Sequence, residues 1–281
     1  MSGPREIFRT VDQLATRTPT LPPATHTNSY AIGGRDVLLV EPATPYADEQ
    51  RAWLAWARSL PSRGRRPIAV VATHHHADHV GGAAALTREL GLPLWAHAET
   101  ASLLDVPVTR RLADGDVITL AGPIEERWTV LHTPGHAPGH VCLWNEDERV
   151  VIVGDMVASV GTILVKPGDG DMGAYLEQLE RLACLDAQCA LPAHGDPIEH
   201  PTGLFRWYIE HRRKREAKIL AVVARSGPPG ATAEAILPDA YDDVPASTWP
   251  IALLSVRAHL EKLAREGRVR ETPGARYVAA P

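Results

Sequence analysis

The sequence predicts an α/β fold of mixed sheets flanked by helices, followed by a separate helical module. Three observations predict it. Short apolar runs alternate with helical patterns over the first two hundred residues, consecutive strand patterns occupy Asp116 to Val157, and helices take over after Pro201. With 281 residues, 44% of them hydrophobic, the chain has room for one large domain and an appendage, here divided as 1–203 and 204–281.

The elements follow in order. VLLV at 37–40 reads as a buried strand, Ala47 to Leu60 as a helix, and IAVVA at 68–72 as a second strand. Gly81-Gly82 precede AAALTREL, whose strong helix formers run until Gly91 and Pro93 stop them, and PLWAHA returns to strand. VITLA, RWTVLHT, HVCLW and RVVIVGD then follow one another with turn residues such as Gly122-Pro123 and Asn145-Glu146-Asp147 between them, a meander and not a βαβ repeat. A helix over Met172–Cys184 and a strand over Gln188–Leu191 complete the first part. The tail carries helices over Leu204–Arg225, near Thr232–Leu237 and over Ser247–Glu266, the last with an apolar stripe of Leu253, Val256, Leu260 and Leu263. RVRETPGARYVAA then suggests a hairpin around Pro273-Gly274, so that three helices and a wing make a winged-helix-like module.

The net charge of −5 is unevenly spread: sixteen Lys/Arg face twenty-five Asp/Glu up to residue 200, against thirteen and nine beyond it. An acidic core repels polyanions, whereas the tail offers Arg212, Arg213, Lys214, Arg215 and Lys218 as a basic cluster. Helical periodicity spreads these residues around most of a turn, so a solvated helix with Ile209, Leu220 and Val223 packed inward accounts for them equally well. Cys142, Cys184 and Cys189 are too few and too irregular for a disulfide framework, and Cys142, inside an apolar strand, reads as core. No run of 18 or more apolar residues is present and the N-terminus lacks the apolar stretch of a signal peptide, so a soluble, cytoplasmic protein with no membrane partner is expected.

The chemistry concentrates in His74-His75-His76-Ala77-Asp78-His79, directly after the strand IAVVA. Two histidines one residue apart can turn toward one ion while the Asp-His pair turns toward a second. His136 follows the strand RWTVLHT within TPGHAPGH, Asp155 ends VVIVGD, and His194 ends a strand in LPAHG. Four strand ends thus each present a ligand type, and imidazole with carboxylate suits zinc, with iron or manganese as alternatives. His194 alone would pass as a polar loop residue; the clustered HxHxDH is far harder to explain by turn chemistry. His75 and His132 alternate with ligands and are expected to point away, and His140 to orient a neighbouring loop without a catalytic role.

THHHADH at 73–79, TPGHAPGH at 133–140, GD at 154–155 and PAHGD at 192–196 together resemble the metallo-β-lactamase-fold superfamily, and their order spans most of the first two hundred residues. The resemblance implies an αββα sandwich in which His74, His76 and His136 hold one zinc, Asp78, His79 and His194 a second, and Asp155 bridges both. HRRKREAKIL at 211–220 is similar to the lactamase-beta-like, glyoxalase II-like subgroup, which includes endoribonucleases and carries a winged-helix-like C-terminal part. Two positions depart from the pattern: Glu41-Pro42 stands where many relatives have Asp-x-Gly, and Ala193 replaces the usual Gly before the last His.

Two zinc ions per chain would make this a hydrolase with a bridging hydroxide as nucleophile, Asp78 and Asp155 being the catalytic carboxylates that pass on its proton. Ester or thioester hydrolysis of a small, possibly carrier-bound acyl substrate is the favoured activity, with Trp207, Tyr208 and Trp249 expected to line an apolar pocket under the tail. Cleavage of single-stranded RNA along the basic helix is the first alternative. A mononuclear iron enzyme of the persulfide-dioxygenase type is the second.

Overall fold

The computed structural model describes residues 3–280. The described residues divide into two compact units, the first comprising 3–133, 138–162 and 186–201 and the second 134–137, 163–185 and 202–280.

The first unit holds two sheets. One has seven strands in sequence order: β1 (Arg5–Phe8), β2 (Val11–Arg17), β3 (His26–Ile32), β4 (Asp36–Val40), β5 (Arg66–Val71), β6 (Leu94–His97) and β7 (Val108–Leu112). Neighbours from β1 to β4 are antiparallel and from β4 to β7 parallel. The change is made by helical crossovers through α1 (Ala47–Ser59), through α2 (Ala77–Val80) with α3 (Ala83–Leu90), and through α4 (Ala98–Ser102). The other sheet runs β13-β12-β11-β10-β9-β8, from β8 (Val117–Leu120), β9 (Glu126–His132), β10 (Val141–Asn145) and β11 (Val150–Gly154) to β12 (Cys189–Pro192) and β13 (Ile198–Glu199).

Period-2 alternation explains the layering. Leu38, Val40, Ala69 and Val71 turn one way and share a core with Val130, Val141, Leu143, Ile152 and Leu191 of the facing sheet. Val37, Leu39, Val70 and Ala72 turn the other way and pack against Trp53, Trp56 and Leu60 at α1 and Leu86 of α3. Each fully buried aliphatic side chain contributes roughly 1.5–3 kcal/mol. These two-sided strands are the apolar runs that the sequence displays.

Strands β1 to β3 and β7 are not legible in the sequence because their polar residues mask them. Asp12, Gln13, Thr16, Thr27, Asn28 and Ser29 are buried, and several find partners inside the fold. Asp12 accepts from Arg65 at 2.8 Å and from Arg63 at 2.7 Å, while Arg65 also donates to the carbonyls of Gly33, Thr10 and Ala31. The Trp53 indole donates to Ser29 Oγ at 2.9 Å. Hydropathy counts such residues as surface; satisfied hydrogen bonds let them be core.

The second unit contains α5 (Met172–Ala183), α6 (Thr202–Arg225), α7 (Ala233–Ala240) and α8 (Trp249–Arg265) with the small sheet β14 (Ala231–Thr232), β15 (Val269–Thr272) and β16 (Arg276–Ala279). Its core joins Ile219 and Val223 of α6, Ile236 and Leu237 of α7, and Val256, Leu260 and Leu263 of α8, so the predicted stripe does face inward, with Leu253 partly buried against it. β15 and β16 form the wing hairpin around Pro273-Gly274. The third helix begins two residues later than expected, since a 3-10 turn over Ala246–Thr248 precedes Pro250 in its first turn. Among the described residues no helix is long and apolar enough to cross a membrane.

Candidate metal centre

The ligand candidates of the first unit stand where parallel or central strands end. Thr73-His74 follows β5, Asp155 follows β11 and His194 follows β12, all three strands leading to the same edge of the sandwich. The backbone of His76 stays extended (φ −64°, ψ 146°) and enters the one-turn helix α2, which sends Asp78 and His79 back toward that edge.

Four of these side chains converge tightly. His79 Nε2 lies 3.5 Å from Asp155 Oδ1 and 3.8 Å from Asp78 Oδ2; His194 Nε2 lies 3.3 and 3.5 Å from the same two oxygens. The other ring nitrogens are spoken for. His79 Nδ1 donates to Glu41 Oε1 at 3.0 Å, and His194 Nδ1 donates to the His26 carbonyl at 2.9 Å. Both rings therefore turn Nε2, the candidate ligand atom, toward the carboxylates, and His79 Nε2 is buried with no hydrogen-bond partner among the described residues. Asp78, His79 and His194 present ligand atoms within 4.8 Å of one another.

The electrostatics fit a cation. Burial opposes the charged form of every one of these groups, yet the Asp155 carboxylate, helped by Asp78, raises His194 to about 10. Burial is likewise outweighed at His79, which Asp155, Glu41 and Asp78 hold well above the usual imidazole range. Asp155, despite burial, is held well below the carboxylate range by His194 and His79, and Asp78 is lowered by His79 and His194. Protons here do what a divalent ion does: they place positive charge between carboxylates and imidazoles.

His74 and His76 form a second grouping, with His74 Nε2 2.9 Å from His76 Nδ1. His74 Nδ1 lies 3.0 Å from Thr73 Oγ1, and that hydroxyl donates to Glu41 Oε1. Thr73 can thus accept from His74, which leaves His74 Nε2 as the ligand atom. His136, the remaining candidate, belongs to the second unit, where its Nδ1 donates to the Leu164 carbonyl at 2.8 Å and its own Nε2 is the atom left for a ligand role.

Two buried residues outside the candidate ligands orient this centre: Glu41, read in the sequence only as a departure from the family pattern, and His140, expected there to orient a neighbouring loop. Glu41, at a positive φ of 65° just after β4, accepts from His79 Nδ1 and Thr73 Oγ1 through one oxygen and from the Thr73 N–H through the other. One carboxylate thereby orients both histidine groupings. The only hint was an acid immediately after VLLV, in place of the Asp-x-Gly of relatives. His140, fully buried, places Nδ1 2.8 Å from Thr133 Oγ1 and accepts the Asp155 N–H on Nε2 at 3.0 Å. His132 turns aside as expected, donating Nε2 to the Pro138 carbonyl and stacking on His97. Cys142 is buried core.

The expected aromatic lining is dispersed. Tyr208 is fully buried, Trp249 packs into the core of the second unit, and Trp207 is exposed and stacked on His211. The basic helix is partly interior: Arg212 and Arg215 are buried, while Arg213 pairs with Glu180, Lys214 with Glu210 and Lys218 with Asp242 and Asp243.

Comparison with known proteins agrees with this geometry. The metallo-beta-lactamase superfamily profile matches residues 22–194, and that of the beta-lactamase associated winged helix domain matches residues 232–276. The chain is 30% identical over 250 residues to the Beta-lactamase-like protein 2 homolog of Caenorhabditis elegans, covering 86% of this chain and 80% of that protein. To the Drosophila melanogaster protein of the same name it is 29% identical over 216 residues, covering 73% and 71%. Lactamase-like protein aptB of Emericella nidulans is 28% identical over 263 residues, with 88% and 79% covered. Two crystal structures share the fold: a beta-lactamase domain protein from Burkholderia ambifaria (TM-score 0.84, 22% identity, 99% of this chain and 93% of that one) and a metallo-beta-lactamase family protein from Thermus thermophilus (TM-score 0.77, 24% identity, 98% and 100%).

Proposed function

Since the chain belongs to the metallo-beta-lactamase superfamily, a family of hydrolase-like enzymes, we propose that it is a zinc-dependent acyl hydrolase that cleaves an ester or thioester. The observation that carries this reading is the convergence of His79 Nε2 and His194 Nε2 on Asp78 and Asp155, with both rings locked by outward hydrogen bonds to Glu41 and His26. By the motifs of the family, His74, His76 and His136 would hold one zinc, Asp78, His79 and His194 another, and Asp155 would reach both. A bound zinc pair would supply a water acidified to near neutrality and an electrophile for the scissile carbonyl. Around it the chain's own groups would do the rest: Glu41 and His26 hold the imidazoles in place, and Asp78, partly exposed beside the buried cluster, would offer the carboxylate oxygen not turned to His79 and His194 to take up a proton and pass it to the leaving group.

The rim favours an acyl group. Thr20 Oγ1 lies 3.4 Å from His194 Nε2, and the Ser159 N–H bonds the His194 carbonyl, so both loops flank the centre. The residues next to them, Leu21 and Val160, are apolar and 49% and 58% exposed. An apolar rim on an acidic unit suits an acyl chain better than a phosphate backbone. The RNA alternative draws no support from the basic cluster of the tail helix, where Arg212 and Arg215 are buried and Arg213, Lys214 and Lys218 are paired.

Elemental analysis of the purified protein, with turnover of an acyl thioester and of a single-stranded RNA on the same preparation, tests the reading. About two zinc per chain with thioester cleavage alone is expected. RNA cleavage that weakens with salt would replace the substrate class, and one iron per chain would replace the reaction.

A further inference from the structure

His136 is placed by the second unit, and two arginines of the C-terminal helices sit behind it. The imidazole's Nδ1 donates to the Leu164 carbonyl. The adjacent Ile163 carbonyl accepts from Arg212 of α6, a residue 2% exposed whose guanidinium also lies over the Tyr175 ring at 5.7 Å. On the other side of the loop, the Gly135 carbonyl accepts the Asp171 N–H at 2.7 Å. Gly135 fits there only without a side chain, since a Cβ would stand 2.3 Å from the Tyr175 backbone. Asp171 caps α5 through Gly173 and Ala174 and is in turn held by both guanidinium nitrogens of Arg265 of α8, a pair that keeps its carboxyl below the usual range.

We propose that Arg212, through the 163–164 segment, and Arg265, through Asp171 and Gly135, are positioning residues that fix the orientation of His136. The proposal rests on the assignment of His136 as a zinc ligand. A buried arginine is costly to desolvate, and Arg212, whose Nε finds no partner among the described residues, commits Nη2 to a main-chain carbonyl one residue from the ligand's own acceptor. Freeing Ile163 lets the Leu164 carbonyl rotate away from Nδ1. His136 then loses both its tautomer and its direction.

The test is zinc affinity by competition with a chromophoric chelator, together with the cobalt(II) absorption spectrum, for wild type, Arg212→Met, Arg212→Lys, Arg265→Gln and His136→Ala. Arg212→Met is expected to weaken one of the two zinc sites by about 10–100-fold and to shift the cobalt spectrum, with Arg212→Lys restoring most of the affinity because it can still donate to Ile163. Arg265→Gln, whose side chain is half exposed, should weaken the same site by a few-fold. In the background of His136→Ala neither arginine change should lower affinity further. Loss of zinc equal in the presence and absence of His136, or wild-type affinity in Arg265→Gln and Arg212→Met alongside a weakened His136→Ala, would overturn the positioning role. Wild-type affinity in His136→Ala itself would instead refute the ligand assignment.

Discussion

The Nε2 of His140 accepts the backbone N–H of Asp155 at 3.0 Å, so that one buried histidine fixes the main chain from which the shared carboxylate projects. Gly154 makes the approach possible: at φ 46° its Cβ would stand 2.5 Å from that nitrogen. His140→Ala would leave a buried N–H unsatisfied, at roughly 1–3 kcal/mol, and Gly154→Ala would add a steric conflict at a left-handed position. Both variants are expected to melt lower than wild type and to copurify with less zinc. Full metal content in His140→Ala would show that Asp155 needs no such anchor.

Glu41 ties together the two histidine groupings, and its removal is expected to affect both. In Glu41→Gln the amide oxygen can still accept from Thr73 Oγ1 and His79 Nδ1, but the amide NH2 then faces the Thr73 N–H that the second carboxylate oxygen now accepts, and the negative charge beside His79 is lost. Metal affinity should fall about 10–100-fold, the range for residues that orient metal-bound histidines. Chelator competition would measure it, and Glu41→Asp, one methylene shorter, should recover only a part.

Asp78→Ala is expected to abolish turnover while the protein remains folded, because Asp78 lies at the edge of the cluster and makes no contribution to either hydrophobic core. Circular dichroism and a thioester assay would separate the two effects. Wild-type rates from the folded variant would refute the mechanism.

Stripped of metal, the protein should show a pH dependence of stability that the zinc form lacks. His194 is raised to about 10 in the fold from an ordinary 6.5, so its stabilisation is complete below 6.5 and is lost as pH climbs toward 10. Asp155 and Asp78 are lowered, so theirs is present above the ordinary carboxylate range, near 3.9, and disappears as pH falls below it. The melting temperature of chelator-treated protein is therefore expected to peak between about pH 4 and 6.5 and to decline toward pH 10. Zinc must displace the same protons, so its affinity should rise with pH over the window in which the treated protein weakens. A flat melting profile would contradict this charge arrangement.

If Leu21 and Val160 grip an acyl chain, Leu21→Asn should raise KM for long-chain thioesters and leave that for acetyl thioesters, and kcat for both, near wild type. Removing one such contact is worth roughly 1–3 kcal/mol of discrimination. An equal effect on both chain lengths would place the acyl group elsewhere.

The sequence by itself determined the candidate ligands and the order of the main elements. HHHADH, TPGH, GD and AHG carry their chemistry in residue types that are rare in such spacing, and strands such as VVIVG are apolar on both faces because both are covered. It also showed the wing, since Pro273-Gly274 permits little besides a turn. Tertiary structure alone decided the rest. Asp12, Asn28 and Ser29 look like surface residues until Arg65, the Pro192 carbonyl and Trp53 meet them from distant parts of the chain. Arg212 and Arg215 look like a basic track until the carbonyls of Ile163 and Ala240 accept them. Glu41 and His140 acquire their roles from Thr73, His79 and Asp155, none of them a sequence neighbour. Hydrophobic burial leaves a periodic trace along the chain because it depends on which face a residue takes; a hydrogen bond between buried polar groups depends on where two remote segments meet, and local sequence holds no record of that distance.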